Sequence, residues 1–253
     1  MFTDEELEML EEEEYQLSVE QFALLVLLLN SLNKDVEKEL ALFYKKYGKD
    51  DVVTYQQARK RDKEKDNRIR LIILYEALAK SFDTAFVEFE ENFKSTLVSI
   101  IKRESEFFGV DVDIEDILDT PWGVDELTWN ERLYAYRSKW VSVLSNDLKQ
   151  HFLKHSTFQD VIDLVGDRFE SMEKILWKLY TTESTAINSL ARHQIFKEMG
   201  VKKYRYYTRA DERRCEECGA LHGLIFPLSA FEPGVTASPL HPYCRCWEVP
   251  IVE

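Results

Sequence analysis

Apolar residues recur along most of this chain at steps of three and four, which predicts helices rather than strands. Ser18-Val-Glu-Gln21 has the form of a capping box ahead of the apolar run Phe22 to Leu29, so a helix is expected to start there. It should continue through Leu40 and Phe43 and end at Gly48. Thr54-Tyr-Gln-Gln57 opens a second stretch, in which Ile69, Ile72, Phe82, Phe86, Phe89, Phe93, Leu97 and Ile100 keep the period up to Gly109. The spacing predicts one helix of roughly 45–50 residues, about 75 Å long at 1.5 Å per residue. Such a helix either breaks within Asp62 to Asn67 or forms an arm reaching along an assembly, and the arm is the expectation.

Residues 109–127 read as a linker ending in Thr120-Pro121-Trp122-Gly123. Thr128-Trp-Asn-Glu131 is a third capping box, followed by a helical stripe from Trp129 to about His155. A short helix is expected at Phe158 to Val165 and a last long one at Ser171 to Met199, closed by Gly200. Tyr204 to Thr208, Leu224 to Phe226 and Cys246 to Val252 read as short strands. The predicted fold is therefore mainly α with a small β module at the carboxy end, an α+β protein. The predicted organisation is a helical arm over 1–110, a linker over 111–127 and a domain over 128–253, the last with helices to 199 and a Cys/His module from 200.

All four cysteines fall inside that module, interleaved with histidines: Cys215-Glu-Glu-Cys218, His222, then His241-Pro-Tyr-Cys244-Arg-Cys246. C-x-x-C lets two thiolates of one turn bind the same ion, and H-x-x-C-x-C offers a second pair. The predicted ligands of a structural zinc are Cys215, Cys218 and Cys244, with His241 or Cys246 as the fourth. The amino terminus is acidic rather than basic, so no secretion signal is expected. Thiols kept in a reducing cytosol favour metal over disulfides. Phe22 to Leu29 is too short to cross a bilayer, so a buried helix face is expected and no membrane partner.

The net charge of −14 is unevenly spread. Residues 1–20 carry nine acids and no base, whereas 192–214 carry eight bases against three acids. Such asymmetry suits two different partners on one molecule. In the basic stretch, Lys202, Lys203, Arg205 and Arg209 alternate with tyrosines and are the expected DNA contacts, with strand packing as the blander reading of Tyr204, Tyr206 and Tyr207. Glu183 falls on the apolar stripe of the last long helix, where a carboxylate must be paired or neutral. It is expected to anchor the Cys/His module through Arg213, Arg245 or a backbone amide.

Tyr204 to Phe226 and Ser238 to Cys246 together resemble the carboxy-terminal domain of the phage Mu F-like minor head proteins. The likeness rests on an aromatic stretch, then D-x-R-x-C-x-x-C, L-x-G-x-x-F and P-L-H-x-x-C-R-C. Asp211, Arg213, Cys215, Cys218, Leu221, Gly223, Phe226, Pro239, Leu240, His241, Cys244, Arg245 and Cys246 fit it. Thr182, Glu183 and Asn188 resemble the family's T-E…N helix.

The resemblance implies a minor head protein of a tailed phage, inside the capsid near the portal and in the host cytoplasm during assembly. Its implied partners are the portal, the scaffold or major capsid protein and, in some members, packaged double-stranded DNA and its ejection. The acidic amino terminus would then be a docking tail for a basic portal or scaffold surface. No Gly-rich phosphate loop, G-x-S-x-G or H-E-x-x-H is present, so no enzyme is expected. The alternative is a zinc-dependent nuclease or a phage-delivered effector with His222 or His241 beside an ion.

Overall fold

The computed structural model describes residues 3–209 and 214–252, apart from the side chain of Asp4. Four long helices carry most of the chain: α1 (Asp4–Tyr47), α3 (Arg70–Phe108), α5 (Trp129–Lys154) and α6 (Phe158–Glu198). Short helices α2 (Tyr55–Ala58), α4 (Ile114–Leu118) and α7 (Glu216–Leu221) lie between or after them. The strands are brief: β1 (Arg61–Asp62), β2 (Arg68–Ile69), β3 (Lys203–Thr208), β4 (Ile225–Pro227) and β5 (Cys246–Ile251). The mainly α fold with a small carboxy-terminal β module is as the sequence pattern predicts.

Three helix boundaries differ from expectation, each for a local reason. Ser18 does not start α1. The cap is Thr3, whose hydroxyl accepts from the amide of Glu6 (3.2 Å) while the Glu6 carboxylate accepts from the amide of Thr3 (2.8 Å). The long second helix breaks where the arm reading kept it whole. After α2, Arg61–Asp62 pairs antiparallel with Arg68–Ile69, and Asp66 and Asn67 turn the chain with φ of 50° and 60°. Asp62 holds this hairpin by accepting from the hydroxyl of Tyr47, from Lys46 (3.0 Å) and from the amide of Glu64 (2.9 Å). Finally, the two helices expected at 158–165 and 171–199 are one. Thr157 and Asp160 cap α6 reciprocally (2.8 and 3.2 Å), and Gly166 passes without a break. Gly200 ends α6 at φ 71°, with Val201 N–H to Phe196 O (2.9 Å) and Gly200 N–H to Lys197 O (3.0 Å), the paired bonds of a Schellman motif.

The chain divides into two compact units. One comprises Leu24–Glu90 and Leu133–Ile175. In it the buried faces of four helical segments meet: Leu29, Leu32 and Val36 from α1, Leu78, Phe82 and Phe86 from α3, Leu144 and Leu148 from α5, and Val161 and Val165 from α6. Phe43 and Phe152 lie 5.7 Å apart and Phe82 and Phe169 6.2 Å apart, and the Tyr75 hydroxyl donates to Ser145 O (2.7 Å). By length and a mean hydropathy of 1.3, α1 contains a stretch apolar enough to cross a membrane. Here Leu25, Leu29 and Leu32 are buried in protein, while Leu24 and Leu27 are exposed.

The other unit gathers Met1–Ala23, Glu91–Arg132 and Leu176–Glu253. β3 is the centre of a three-stranded antiparallel sheet, with Tyr204 opposite Phe226 of β4 and Pro250 of β5. Tyr204, Trp247 and Val249 from the sheet pack with Leu7 of α1, Phe108 of α3, and Ile195 and Phe196 of α6. Tyr204 and Tyr206 are fully buried, so strand packing, the blander reading, is what occupies them.

Inside this apolar unit sits a polar network. Arg192, fully buried on α6, donates to both oxygens of Glu104 on α3 (2.9 and 2.6 Å) and to Glu248 O on β5 (3.3 Å). It also pairs with Glu11 of α1 (2.7 Å). Asn188 donates to Glu104 (3.0 Å) and to Glu14, and the Glu248 carboxylate accepts from Ser189 (3.1 Å) and the Ser238 amide (2.6 Å). The acidic start of the chain, read as a docking tail, therefore turns Glu11 and Glu14 into the fold.

One guanidinium faces four carboxyl groups here, and burial is the dominant influence on the protons of Glu11, Glu14 and Glu248. Burial pushes Glu11 up to about 7, with Arg192 opposing the rise, and pushes Glu14 well above the usual carboxylate range, with Glu104 and Glu11 adding to it. The folded state thus holds these protons more tightly than the unfolded chain, where the groups ionise near 4.5. Their favourable contribution is complete below that pH and is lost as pH rises through the folded-state values, about 7 for Glu11. Replacing Glu14 by Gln keeps an oxygen for Asn188 and removes the cost of ionisation. Glu14→Gln should leave the melting temperature near wild type at pH 5 and raise it by roughly 2–5 °C at pH 8, read by differential scanning calorimetry. An equal effect at both pH values would contradict this account.

Candidate metal centre and its anchors

Cys215 is the N-cap of α7, and its sulfur accepts from the amide of Cys218 (3.2 Å). That places two sulfurs at the start of one short helix. Cys244 and Cys246 stand two residues apart at the entry to β5, and His241 precedes them in a turn. The structure brings all five predicted donors together in two triads that share Cys218. Ligand atoms lie within 4.8 Å of one another in Cys215–Cys218–His241 and in Cys218–Cys244–Cys246.

The donor chemistry suits a borderline-soft divalent ion. Cys218 and Cys244 sulfurs are 3.8 Å apart, close to the roughly 3.8 Å separating two thiolates at about 2.3 Å from a tetrahedral zinc. His241 Nε2 lies 3.0 Å from Cys215 Sγ and 3.1 Å from Cys218 Sγ, tighter than the roughly 3.6 Å of a tetrahedral N,S pair. His241 Nδ1 is 2.8 Å from Pro242 O, an arrangement in which Nδ1–H donates and Nε2 is left as the free lone pair.

The surroundings are dry. Cys218, Cys244 and Cys246 are buried with Tyr206, and Leu221, Phe226 and Leu240 pack around them. The Tyr206 hydroxyl sits 3.7 Å from Cys218 Sγ and 3.9 Å from Cys244 Sγ. Burial, then charge on Cys244, holds that hydroxyl protonated and able to donate to sulfur. Hydrogen bonds from Cys218 and Cys246 hold the Cys244 thiol well below its ordinary value, so negative charge gathers at the buried end of the cluster. His222 lies apart from it. Its Nδ1 accepts from the Thr208 amide (3.2 Å), and its ring meets Tyr207 edge-on.

Residues 143–249 match the family described as Phage Mu protein F like protein. This part of the chain is similar to that family. An uncharacterized protein of Haemophilus influenzae is 27% identical over 120 residues, 47% of this chain and 27% of that protein. The chain thus spans only about a quarter of the length of that curated relative. No solved structure matches the chain.

Within the matched residues, the helix bearing Thr182, Glu183 and Asn188 is α6. Thr185 donates to Cys244 O (3.0 Å), and Thr182 accepts from the Tyr243 amide (3.3 Å), so α6 grips the loop that carries Cys244. Glu183, only 1% exposed, binds elsewhere than expected. It accepts from Trp122 Nε1 (2.8 Å) and from Arg132 Nη1 (3.1 Å to each oxygen). Arg132 in turn donates to Asp125 (3.1 Å) and to Trp122 O, and stacks 4.2 Å from the Trp122 ring. Glu183 thus fastens the 119–128 linker and the start of α5 to α6. The sequence signal was partial: Trp122 and Arg132 flank the Thr128–Glu131 capping box, but nothing in the spacing names their acceptor.

Of the other predicted residues, Asp211 and Arg213 lie outside the described residues. Arg245 lines a cavity with Glu14 and Asn188. Arg209 pairs with Glu12 (2.5 Å), while Lys202 and Lys203 are exposed and Arg205 half-buried on β3.

Burial lifts the Glu183 carboxyl to about 7, and Arg132 and Trp122 pull against it. Removing the cation strands the acid, whereas amidating the acid removes the charge. At pH 8, Arg132→Met should cost about 3 kcal/mol and Glu183→Gln less than about 1.5 kcal/mol, measured by urea unfolding. The reverse order would show that Glu183 is not held by Arg132.

Proposed function

We propose that this protein is a non-catalytic minor head component of a tailed phage, with a Mu F-like domain stapled by one zinc ion. The reading rests on the Mu F-like match over residues 143–249, which ends on the convergent Cys/His cluster. In this reading Cys215, Cys218 and Cys244 are zinc ligands, and His241 or Cys246 completes the tetrahedron. Zinc would supply structural closure of the site, joining the α7 turn to the entry of β5.

The protein would join the procapsid at the portal, alongside scaffold or major capsid subunits, and lie on the inner side of the head. Lys202, Lys203 and Arg205 would face packaged DNA and bear on its ejection. Such contacts to phosphate weaken steeply with salt.

Purified, reduced protein should contain one zinc per chain by elemental mass spectrometry. Cys218→Ser and Cys244→Ser should each remove it, and whichever of His241→Ala or Cys246→Ser does the same identifies the fourth ligand. Particles of the phage that encodes the protein should contain it in a few copies. Deleting the gene should lower infectious yield, and co-expression should retain the protein on the portal. Infectious, fully packaged particles from the deletion strain, together with no such protein in wild-type heads, would refute the reading.

A further inference from the structure

Residues 45–70 carry ten bases against five acids in a chain of net charge −14. The β1–β2 hairpin and the residues just before it hold six of those bases, Arg59, Lys60, Arg61, Lys63, Lys65 and Arg68, all exposed. The acids among them are engaged inside the protein. Asp62 is only 4% exposed and accepts from Tyr47, Lys46 and the Glu64 amide. Lys46 also pairs with Glu64 (2.8 Å), so one ammonium from the end of α1 bridges both acids and pins the base of the hairpin. Arg68 is answered by Glu76. The ammonium groups of Lys60, Lys63 and Lys65 make no ion pair or hydrogen bond among the described residues. Arg61 donates to Asn67 O (2.9 Å) and keeps its charge. Four exposed cations therefore stand on a pinned hairpin beside one unpaired carboxylate, Asp66.

The composition of this surface says what it fits. Residues 59–68 include no apolar side chain. A protein partner gains most of its affinity from aromatic or aliphatic anchors in dry pockets, and this surface offers none. A row of phosphates asks only for charge, because each neutralised phosphate releases condensed counterions. Single strands are held by bases stacking on free aromatic rings. The tyrosines at the hairpin's base already carry arginines, Arg59 at 5.8 Å from the Tyr55 ring and Arg70 at 4.3 Å from the Tyr47 ring. That leaves the backbone of a duplex. With a Debye length of about 8 Å at physiological salt, a duplex meets the local charge of the hairpin rather than the net charge of the chain.

We infer that the β1–β2 hairpin is a contact for the phosphate backbone of duplex nucleic acid. Lys60, Arg61, Lys63 and Lys65 neutralise about four phosphates and read no sequence. These residues lie outside the matched segment 143–249, so the inference is independent of the zinc and head-protein readings and of Lys202, Lys203 and Arg205.

Fluorescence anisotropy of the full chain with a labelled DNA duplex of arbitrary sequence, about 30 base pairs long, tests it over a range of salt. Affinity should fall roughly a hundredfold between about 50 and 200 mM salt, the dependence expected of about four phosphate contacts. Lys60→Gln/Lys63→Gln/Lys65→Gln should flatten the log–log salt slope by about 2.7 and weaken binding at least tenfold at about 50 mM salt. Its melting temperature should stay at the wild-type value. Lys60→Arg/Lys63→Arg/Lys65→Arg should keep both slope and affinity, which separates charge from folding. Lys202→Gln/Lys203→Gln, measured alongside, reports on the other basic stretch alone. An unaltered slope in the glutamine variant, loss of binding in the arginine variant, or tighter binding of single-stranded oligothymidylate would overturn the inference. Polyglutamate competing as well as the duplex would overturn it too, and would give the hairpin to an acidic protein surface.

Discussion

Arg192 is the point at which the unit containing the three-stranded sheet is pinned. Its one planar group reaches α3 through Glu104, α1 through Glu11 and the backbone of β5 at Glu248. A buried ion pair is seldom a large net gain against an apolar replacement, but losing one partner leaves a charge stranded in the interior. The geometry therefore acts chiefly as a selector of register. Only when helix and strand approach in this one alignment are the donors of the guanidinium and the acceptors around it satisfied together.

The same logic of satisfied polar atoms organises the Cys/His module. Cys215 caps α7 with its own sulfur, Thr185 holds the carbonyl of Cys244, and Tyr206 closes over two sulfurs from the central strand. These bonds hold the loop and helix that carry the cluster's donors, as outer partners of a metal site do.

Much of the architecture was legible because it depends on local patterns. Thr128 and Glu131 marked the start of α5, Gly200 the end of α6, and the cysteine spacing the place where chain segments converge. Where the reading failed, long-range pairing had overruled local preference. Ser18-x-x-Gln21 has the letters of a cap, yet Thr3 and Glu6 take that role and Ser18 is buried in mid-helix. The period before Gly109 extended through Asp62 to Asn67 only by ignoring their polarity, and the hairpin there is held by Tyr47 from another helix. Glu183 was legible as a paired core acid, but its partner Arg132 is fifty-one positions away, beyond what any helical period reports.

The unit built on Arg192 joins residues 4–23 to residues 176–252, so it is stitched from early and late parts of the sequence. During translation the first five turns of α1 leave the ribosome long before the sheet that covers Leu7 has been made. Until then Leu7, Glu11 and Glu14 have no interior to enter, and the unit cannot close in the vectorial order that suits domains made of consecutive residues. Its folding must wait until the residues from 176 onward have been made.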